Sequence, residues 1–202
     1  MVLVSELFSS LQGEGQYIGQ PALFVRLSGC TRRCAFCDSS YHTNGREIDY
    51  RQIIKEIIDS KKKSVVWTGG EPLLQFEEIK KIIKQLPNDI DHHLESNGDL
   101  FNNECLVYFD YCAISPKDEK TAKRVKEMVE TCPAQTDIKV VTDLTLNKNL
   151  IKYATLLMPL SVDFGGKKDI KIQKDVWNYC ATHNIAYTPR LHIIVFGKKK
   201  GI

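Results

Sequence analysis

The chain has 202 residues, 43% hydrophobic and 26% charged, enough to fill a core without disulfide staples and expected to form a single domain over 1–202. The formal net charge is +3 and the lysines cluster only in short runs at 61–63 and 198–200, which excludes the continuous basic stripe that nucleic acid demands. No window approaches the roughly eighteen apolar residues of a membrane span, and the N-terminal residues show no basic start ahead of an apolar stretch, so the expected location is the cytoplasm.

From Pro21 onward, short apolar runs alternate with amphipathic ones, the pattern of βα units on a parallel sheet. Strands are expected at 22–28, 64–68, 91–95, 106–115, 137–141, 155–162 and 185–196. Helices are expected at 48–60, 76–86, 119–130 and 168–180, where apolar residues recur at helical spacing. Roughly six such units are too few for a closed eight-stranded barrel, so the expected fold is α/β, an incomplete (β/α)6 parallel barrel. Ligands in such sheets gather beyond the carboxyl ends of the strands.

Of seven cysteines, Cys30, Cys34 and Cys37 fall within eight residues in SGCTRRCAFCDSS, directly after the apolar ALFVRLS and Gly29. An odd count and this tight spacing suit ligation better than disulfides. Cys105, Cys112, Cys132 and Cys180 are isolated and are expected as small buried hydrophobes. A complete iron–sulfur cubane takes four thiolates, so three leave one iron open to a ligand. The alternative is a closed zinc site with His42 or Asp38 as fourth ligand. Zinc gives no reason for Phe36 immediately before the third cysteine.

With this spacing and that aromatic residue, the segment resembles the radical S-adenosylmethionine (SAM) superfamily. The resemblance implies a [4Fe–4S] cluster on Cys30, Cys34 and Cys37, with SAM chelated at the open iron. One electron through the cluster then splits SAM to a radical that takes a hydrogen atom from the substrate.

VVWTGGEPLL places Gly69, Gly70 and Glu71 past a strand end, where absent side chains admit close backbone approach. By itself this is equally a strand-to-helix turn, but it resembles the superfamily's GGEP segment, which holds the SAM amino group. HLESNGD and AISPKD also end apolar strands and offer Ser96, Gly98, Ser115, Pro116 and Lys117; each on its own reads as a turn. The resemblance implies that Phe36, Gly69, Gly70, Glu71, Gly98, Ser115, Pro116 and Lys117 bind SAM.

SLQGEGQYIGQPALFVRL, followed in order by CDS, TGGEP, ESNG, SPK and RLH, is similar to the 7-carboxy-7-deazaguanine synthase family over nearly the whole chain. That similarity implies ring contraction of 6-carboxy-5,6,7,8-tetrahydropterin with release of ammonia, feeding queuosine-type 7-deazapurine synthesis. It also implies Mg2+ on Ser39, where many members carry threonine, a homodimer, and an electron donor such as flavodoxin or ferredoxin. Leu11, Gln12, Gly13, Glu14, Arg26, Ser96 and His192 are the implied substrate residues.

The residues themselves leave alternatives open. Arg26 lies in an apolar strand and needs an anionic partner, either the substrate carboxylate or a protein carboxylate. Gln12 and Glu14 are acceptors for the pterin's N–H edges or solvated turn residues. His192, expected on a strand face with Arg190 and Ile194, is a pocket residue or a satisfied core histidine. The rival functions are a glycyl-radical-enzyme activase, against which LQGEG and Arg26 argue, and a zinc-binding regulatory module.

Overall fold

The computed structural model describes residues 1–34, 37, 44–131, 135–197 and 199. Two compact units divide the chain, one of Met1–Ser10 with Pro21–Cys112, the other of Leu11–Gln20 with Ala113–Ile202.

In the first unit, β1 (Val2–Leu11), β2 (Pro21–Leu27), β3 (Arg46–Ile48), β4 (Ser64–Gly69) and β5 (Asp91–Ser96) lie in the order β3-β1-β2-β4-β5. The short β3 is antiparallel to β1, while β2, β4 and β5 are parallel, with Leu27 opposite Gly69 and Trp67 opposite Leu94. The run Val65, Val66 and Trp67 is wholly buried, as expected of a parallel strand covered on both faces. Along β2, Leu23, Val25 and Leu27 are buried while Phe24 and Arg26 are half-buried. Helix α1 (Tyr50–Ser60) starts where the Asp49 carboxylate accepts from the Arg51 amide and ends at Lys61 in the left-handed region; it buries Ile53 and Ile57. Helix α2 (Phe76–Ile83) follows a 3-10 turn over Pro72–Gln75 and buries Ile79 and Ile82. A single turn, α3 (Cys105–Tyr108), comes before β6 (Tyr111–Ile114), all of whose residues are buried.

In the second unit, β7 (Thr136–Thr142), β8 (Leu156–Pro159) and β9 (Ala186–Tyr187) pair in parallel, with Lys139 opposite Leu156 and Leu157 opposite Tyr187. Helix α4 (Glu119–Val129) is capped by Asp118, whose carboxylate accepts from the Thr121 amide. Helices α5 (Lys167–His183) and α6 (Leu191–Phe196) complete it. The α/β class and the parallel pairing follow the expectation.

Three expected strands are corrected. The run 106–115 opens as α3, and only 111–114 is strand, because pairing with β5 begins at Asp110, whose amide donates to the His92 carbonyl at 2.8 Å and whose carboxylate accepts from the His92 amide at 2.7 Å. The run 155–162 yields only Leu156–Pro159. The run 185–196 yields only Ala186–Tyr187 and then α6, because Pro189 has no N–H to continue a ladder. His192 therefore sits on a helix, not on a strand face with Arg190 and Ile194. Strands β1 and β3 were not expected from the pattern. Cys105, Cys112 and Cys180 are buried free thiols, as expected; Cys132 lies outside the described residues. Among the described residues no helix is long and apolar enough to cross a membrane.

Candidate active site

The cysteine loop leaves β2 through Gly29, at φ 90°. Cys30 and Cys34 are half-buried free thiols, and Cys37 is exposed. The Cys37 amide donates to the Cys34 carbonyl at 3.2 Å. Cys30 Sγ accepts from the Arg32 amide at 3.4 Å and from Asn97 Nδ2 at 3.8 Å. Donors aimed at sulfur suit a thiolate that shares a cluster's negative charge. Each thiolate of a cubane binds a different iron, so the sulfurs need not converge on one point as zinc ligands do. This donor set fits a [4Fe–4S] cluster. Among the described residues, no three His, Cys, Asp or Glu side chains gather as they would around a single metal ion. Phe36 and Ser39 lie outside the described residues, as do Asp38 and His42 of the zinc alternative.

The glycines at the end of β4 are dictated by close contacts, Gly69 with the end of β2 and Gly70 with the cysteine loop. A Cβ on Gly69 would lie 2.1 Å from the Leu27 carbonyl oxygen, and one on Gly70 would lie 2.1 Å from the Gly29 carbonyl oxygen and 2.8 Å from Cys30 Cβ. A side chain at Gly69 would drive the end of β4 away from β2, and one at Gly70 would drive it away from the cysteine loop. The Glu71 amide continues the contact, donating to the Gly29 carbonyl at 2.8 Å.

The Glu71 side chain is fully buried. It accepts from the Leu73 amide at 3.0 Å, the Asn97 amide at 2.8 Å and the Ser96 hydroxyl at 2.9 and 3.0 Å. Burial pushes its carboxyl up to about 7, against the pull of the Asn97, Leu73 and Ser96 donors. Both oxygens are thus engaged by the chain itself, tying the Ser96–Gly98 turn to the segment that follows β4. Ser96 Oγ in turn accepts from the Gly98 amide at 3.0 Å, and Gly98 has φ 85°.

From that turn, Asp99 holds the cysteine loop. Its carboxylate receives both Nε and Nη2 of Arg32 and, at 2.7 Å, the Thr31 hydroxyl. Asn97 Nδ2 also donates to Thr31 Oγ1 at 2.9 Å.

Arg26 Nε pairs with Glu6 Oε2 at 2.8 Å, and its guanidinium lies 5.7 Å from the centroid of Phe8, which stacks on Phe24. A protein carboxylate is therefore already beside it.

In the second unit the loop 11–20 is closed by the Gln12 amide on the Gln20 carbonyl and the Gly19 amide on the Gln12 carbonyl, each at 2.8 Å. Leu11 is half exposed, whereas Gln12 is buried and its Oε1 accepts from the Glu14 amide at 3.2 Å. Gly13 packs against α6: its carbonyl accepts from the Leu191 amide at 2.9 Å, and a Cβ there would sit 2.5 Å from His192 Nδ1. The Gly15 amide donates to Thr188 Oγ1 at 2.7 Å.

These contacts hold Glu14 against Lys139 Nζ, 2.7 Å away, and Arg190 Nε, 3.7 Å away. The Lys139 side chain is only 3% exposed. Burial alone would raise the Glu14 carboxyl, but Lys139, then Arg190 and His192, overcome it and hold the group at about 2. Glu14 is therefore an ionised, oriented acceptor. At the end of β6, Lys117 Nζ donates to Ser115 Oγ at 3.0 Å, and Pro116 is buried.

Sequence reasoning missed Asn97, Asp99, Arg32, Lys139 and Arg190. Lys139 carried a usable signal, a cation inside the apolar run DIKVV, the same one that singled out Arg26.

The profile of the radical SAM superfamily matches residues 24–130. The chain is 28% identical to the 7-carboxy-7-deazaguanine synthase of Hyperthermus butylicus, over 95% of this chain and 92% of that protein. It is 28% identical to that of Thermoplasma acidophilum over 100% of both chains, and 28% identical to that of Aquifex aeolicus over 95% of this chain and 92% of that protein. The crystal structure of QueE from Escherichia coli shares the fold, with a TM-score of 0.64 and 20% identity over 95% of this chain and 94% of that one.

Proposed function

The chain belongs to the radical SAM superfamily, and from that premise we propose that it is a 7-carboxy-7-deazaguanine synthase, contracting 6-carboxy-5,6,7,8-tetrahydropterin to 7-carboxy-7-deazaguanine with release of ammonia. When bound, the cluster and SAM supply a 5′-deoxyadenosyl radical that removes a hydrogen atom from the substrate; placement is the protein's task. Cys30, Cys34 and Cys37 are assigned to the cluster. Phe36, Gly69, Gly70, Glu71, Gly98, Ser115, Pro116 and Lys117 are assigned to SAM, with Glu71 acting by shaping its own segment. Leu11, Gln12, Gly13, Glu14, Arg26, Ser96 and His192 are assigned to the substrate. Ser39 is assigned to Mg2+, since a hydroxyl serves a hard cation alongside waters and substrate oxygens. The same proposal includes a cytoplasmic homodimer, reduced by a flavodoxin or ferredoxin, in queuosine-type 7-deazapurine synthesis.

The observation that carries this reading is Glu14. A pterin presents its 2-amino group and N3–H side by side, and an ionised carboxylate takes both as a fork. A half-buried carboxylate, paired with Lys139 and Arg190 and held at about 2, supplies that acceptor without proton rearrangement. The span of the relatives, nearly end to end on both chains, favours this reading over a glycyl-radical-enzyme activase or a zinc module.

The test is product analysis. Anaerobically reconstituted protein with SAM, a reductant and 6-carboxytetrahydropterin is expected to release 7-carboxy-7-deazaguanine and ammonia, identified by mass spectrometry. SAM cleavage with the pterin recovered unchanged overturns the assignment.

A second prediction separates the two partners open to Arg26. If it serves the substrate carboxylate, Arg26→Met removes about 2 to 4 kcal/mol of transition-state binding, a roughly thirtyfold to thousandfold fall in kcat/KM. Substrate-free cleavage of SAM is expected to persist. Glu6→Gln leaves the guanidinium in place and is expected to retain most of kcat/KM. Equal losses in the two variants would make the Arg26–Glu6 pair purely structural.

A further inference from the structure

Among the described residues outside those assigned above, the turn after β5 makes several polar contacts with the cysteine loop. Asn97 Nδ2 reaches both Cys30 Sγ, at 3.8 Å, and Thr31 Oγ1, at 2.9 Å. Asp99 takes the Thr31 hydroxyl and both faces of the Arg32 fork. The turn is itself fixed: the Asn97 amide donates to buried Glu71 at 2.8 Å, and Asn97 Oδ1 accepts from the Asp99 amide at 2.9 Å. With its amide and Oδ1 so engaged, Asn97 has its Nδ2 aimed at the loop, where it donates to sulfur without requiring any movement of the turn.

In the structure Cys30 Sγ is a thiol; it stands in for the thiolate that would bind iron. An N–H pointed at such a sulfur stabilises the state with more negative charge on the cluster, so it favours reduction. A bidentate Arg–carboxylate pair on the next residues fixes geometry instead, because two parallel N–H···O bonds resist rotation. The two side chains therefore divide the work.

We propose that the Asn97–Asp99 turn is the positioning element of the cluster loop, with Asn97 tuning the cluster's reduction potential through Cys30 and Asp99 holding the loop's shape through Thr31 and Arg32. This rests on Cys30, Cys34 and Cys37 being the cluster's thiolates. The step concerned is one-electron reduction of the cluster by the external donor; no bond of the protein is made or broken.

Asn97→Asp keeps the oxygen that accepts from the Asp99 amide but replaces the donor to sulfur with an acceptor. In the reconstituted protein its cluster is expected to reduce about threefold to tenfold less favourably, tenfold being about 59 mV for a one-electron couple, read by redox titration followed by electron paramagnetic resonance. Asp99→Asn should leave that potential near the parent value while accelerating iron loss to a chelator severalfold. An independent reading needs no cluster. In apo protein, alkylation of Cys30 followed by mass spectrometry should run severalfold slower in Asn97→Asp, because the reacting thiolate loses its donor and gains a carboxylate beside it, and this measurement decides the matter should that variant fail to take up iron. A parent potential in fully loaded Asn97→Asp, or a parent alkylation rate in the apo variant, overturns the proposal. Retention of a complete cluster in Cys34→Ala would instead bring down the ligand assignment beneath it, so the two failures are distinguishable.

Discussion

Cys34→Ala is expected to abolish iron uptake and SAM cleavage together, the largest effect any single substitution should have on this protein. Cys34 is one of only three closely spaced thiols, and two thiolates cannot hold a cubane whose fourth iron is already open. Cys30→Ala and Cys37→Ala should behave alike. Loss by general unfolding is distinguishable, because Cys34 is a free, half-buried residue whose truncation is expected to move apo-protein stability by only about 0.5 kcal/mol. Cys105→Ala is the contrasting control: that thiol is fully buried at the start of α3, where it donates to Asn102 Oδ1 at 3.9 Å, and lies outside the cysteine loop, so it should cost stability while cluster content stays full. Iron content after anaerobic reconstitution, alongside thermal unfolding of the apo form, reads all four variants. A complete, SAM-cleaving cluster in Cys34→Ala would refute the assignment.

Glu14→Gln is expected to have the next largest effect, and it acts twice. Toward the substrate, an amide presents one oxygen and an NH2 where two acceptors are needed, so one pterin N–H meets a donor; kcat/KM is expected to fall roughly a thousandfold or more. Toward the fold, it withdraws the carboxylate from Lys139, 3% exposed, and Arg190, 9% exposed, a loss worth about 3 to 5 kcal/mol for a buried pair. Lys139→Met separates the two effects, since it leaves the carboxylate in place with Arg190 and His192 still near it. The pH dependence carries a definite sign. The Glu14 carboxyl is depressed to about 2 from 4.5, so the pair's stabilisation is fully present above the unfolded value and is lost as pH falls from about 4.5 toward 2. Parent protein should lose stability more steeply than Glu14→Gln across that window in denaturant titrations. Parallel curves would mean that Glu14 is not held ionised by its neighbours.

The parallel strands were legible because a strand covered on both faces is apolar almost throughout, as SVVWTG is. β1 escaped notice because VLVSELFSSL mixes serines and a glutamate into the run and its middle is only half-buried. The overlong strands near the C-terminus ignored their own prolines, Pro159 and Pro189, each of which ends a ladder. At the candidate site, the glycines of LQGEG and TGGEP stand out in the sequence through the resemblance, but the packing that requires them is not visible there. Gly13 and Gly70 are small because His192 and Cys30 press on them, and such pressure is a fact of tertiary packing. The Glu14–Lys139 pair spans 125 residues of sequence, a distance at which no local pattern links one charge to another. Glu71 was recognised as a motif residue, but its carboxylate turned out to serve Ser96 and Asn97.

The close approach of Gly70 to Gly29 and Cys30 also governs how cofactor binding distributes its entropy. The peptide groups at 69–70 and the Cβ of Cys30, which carries the sulfur, lie so close that no β-carbon fits at position 70. A cofactor that bridges the two meets a surface frozen during folding, and the ordering cost of binding falls on the incoming molecule alone. A β-carbon added at position 70 would therefore lengthen that separation for every bound state at once, a defect that no excess of cofactor repairs.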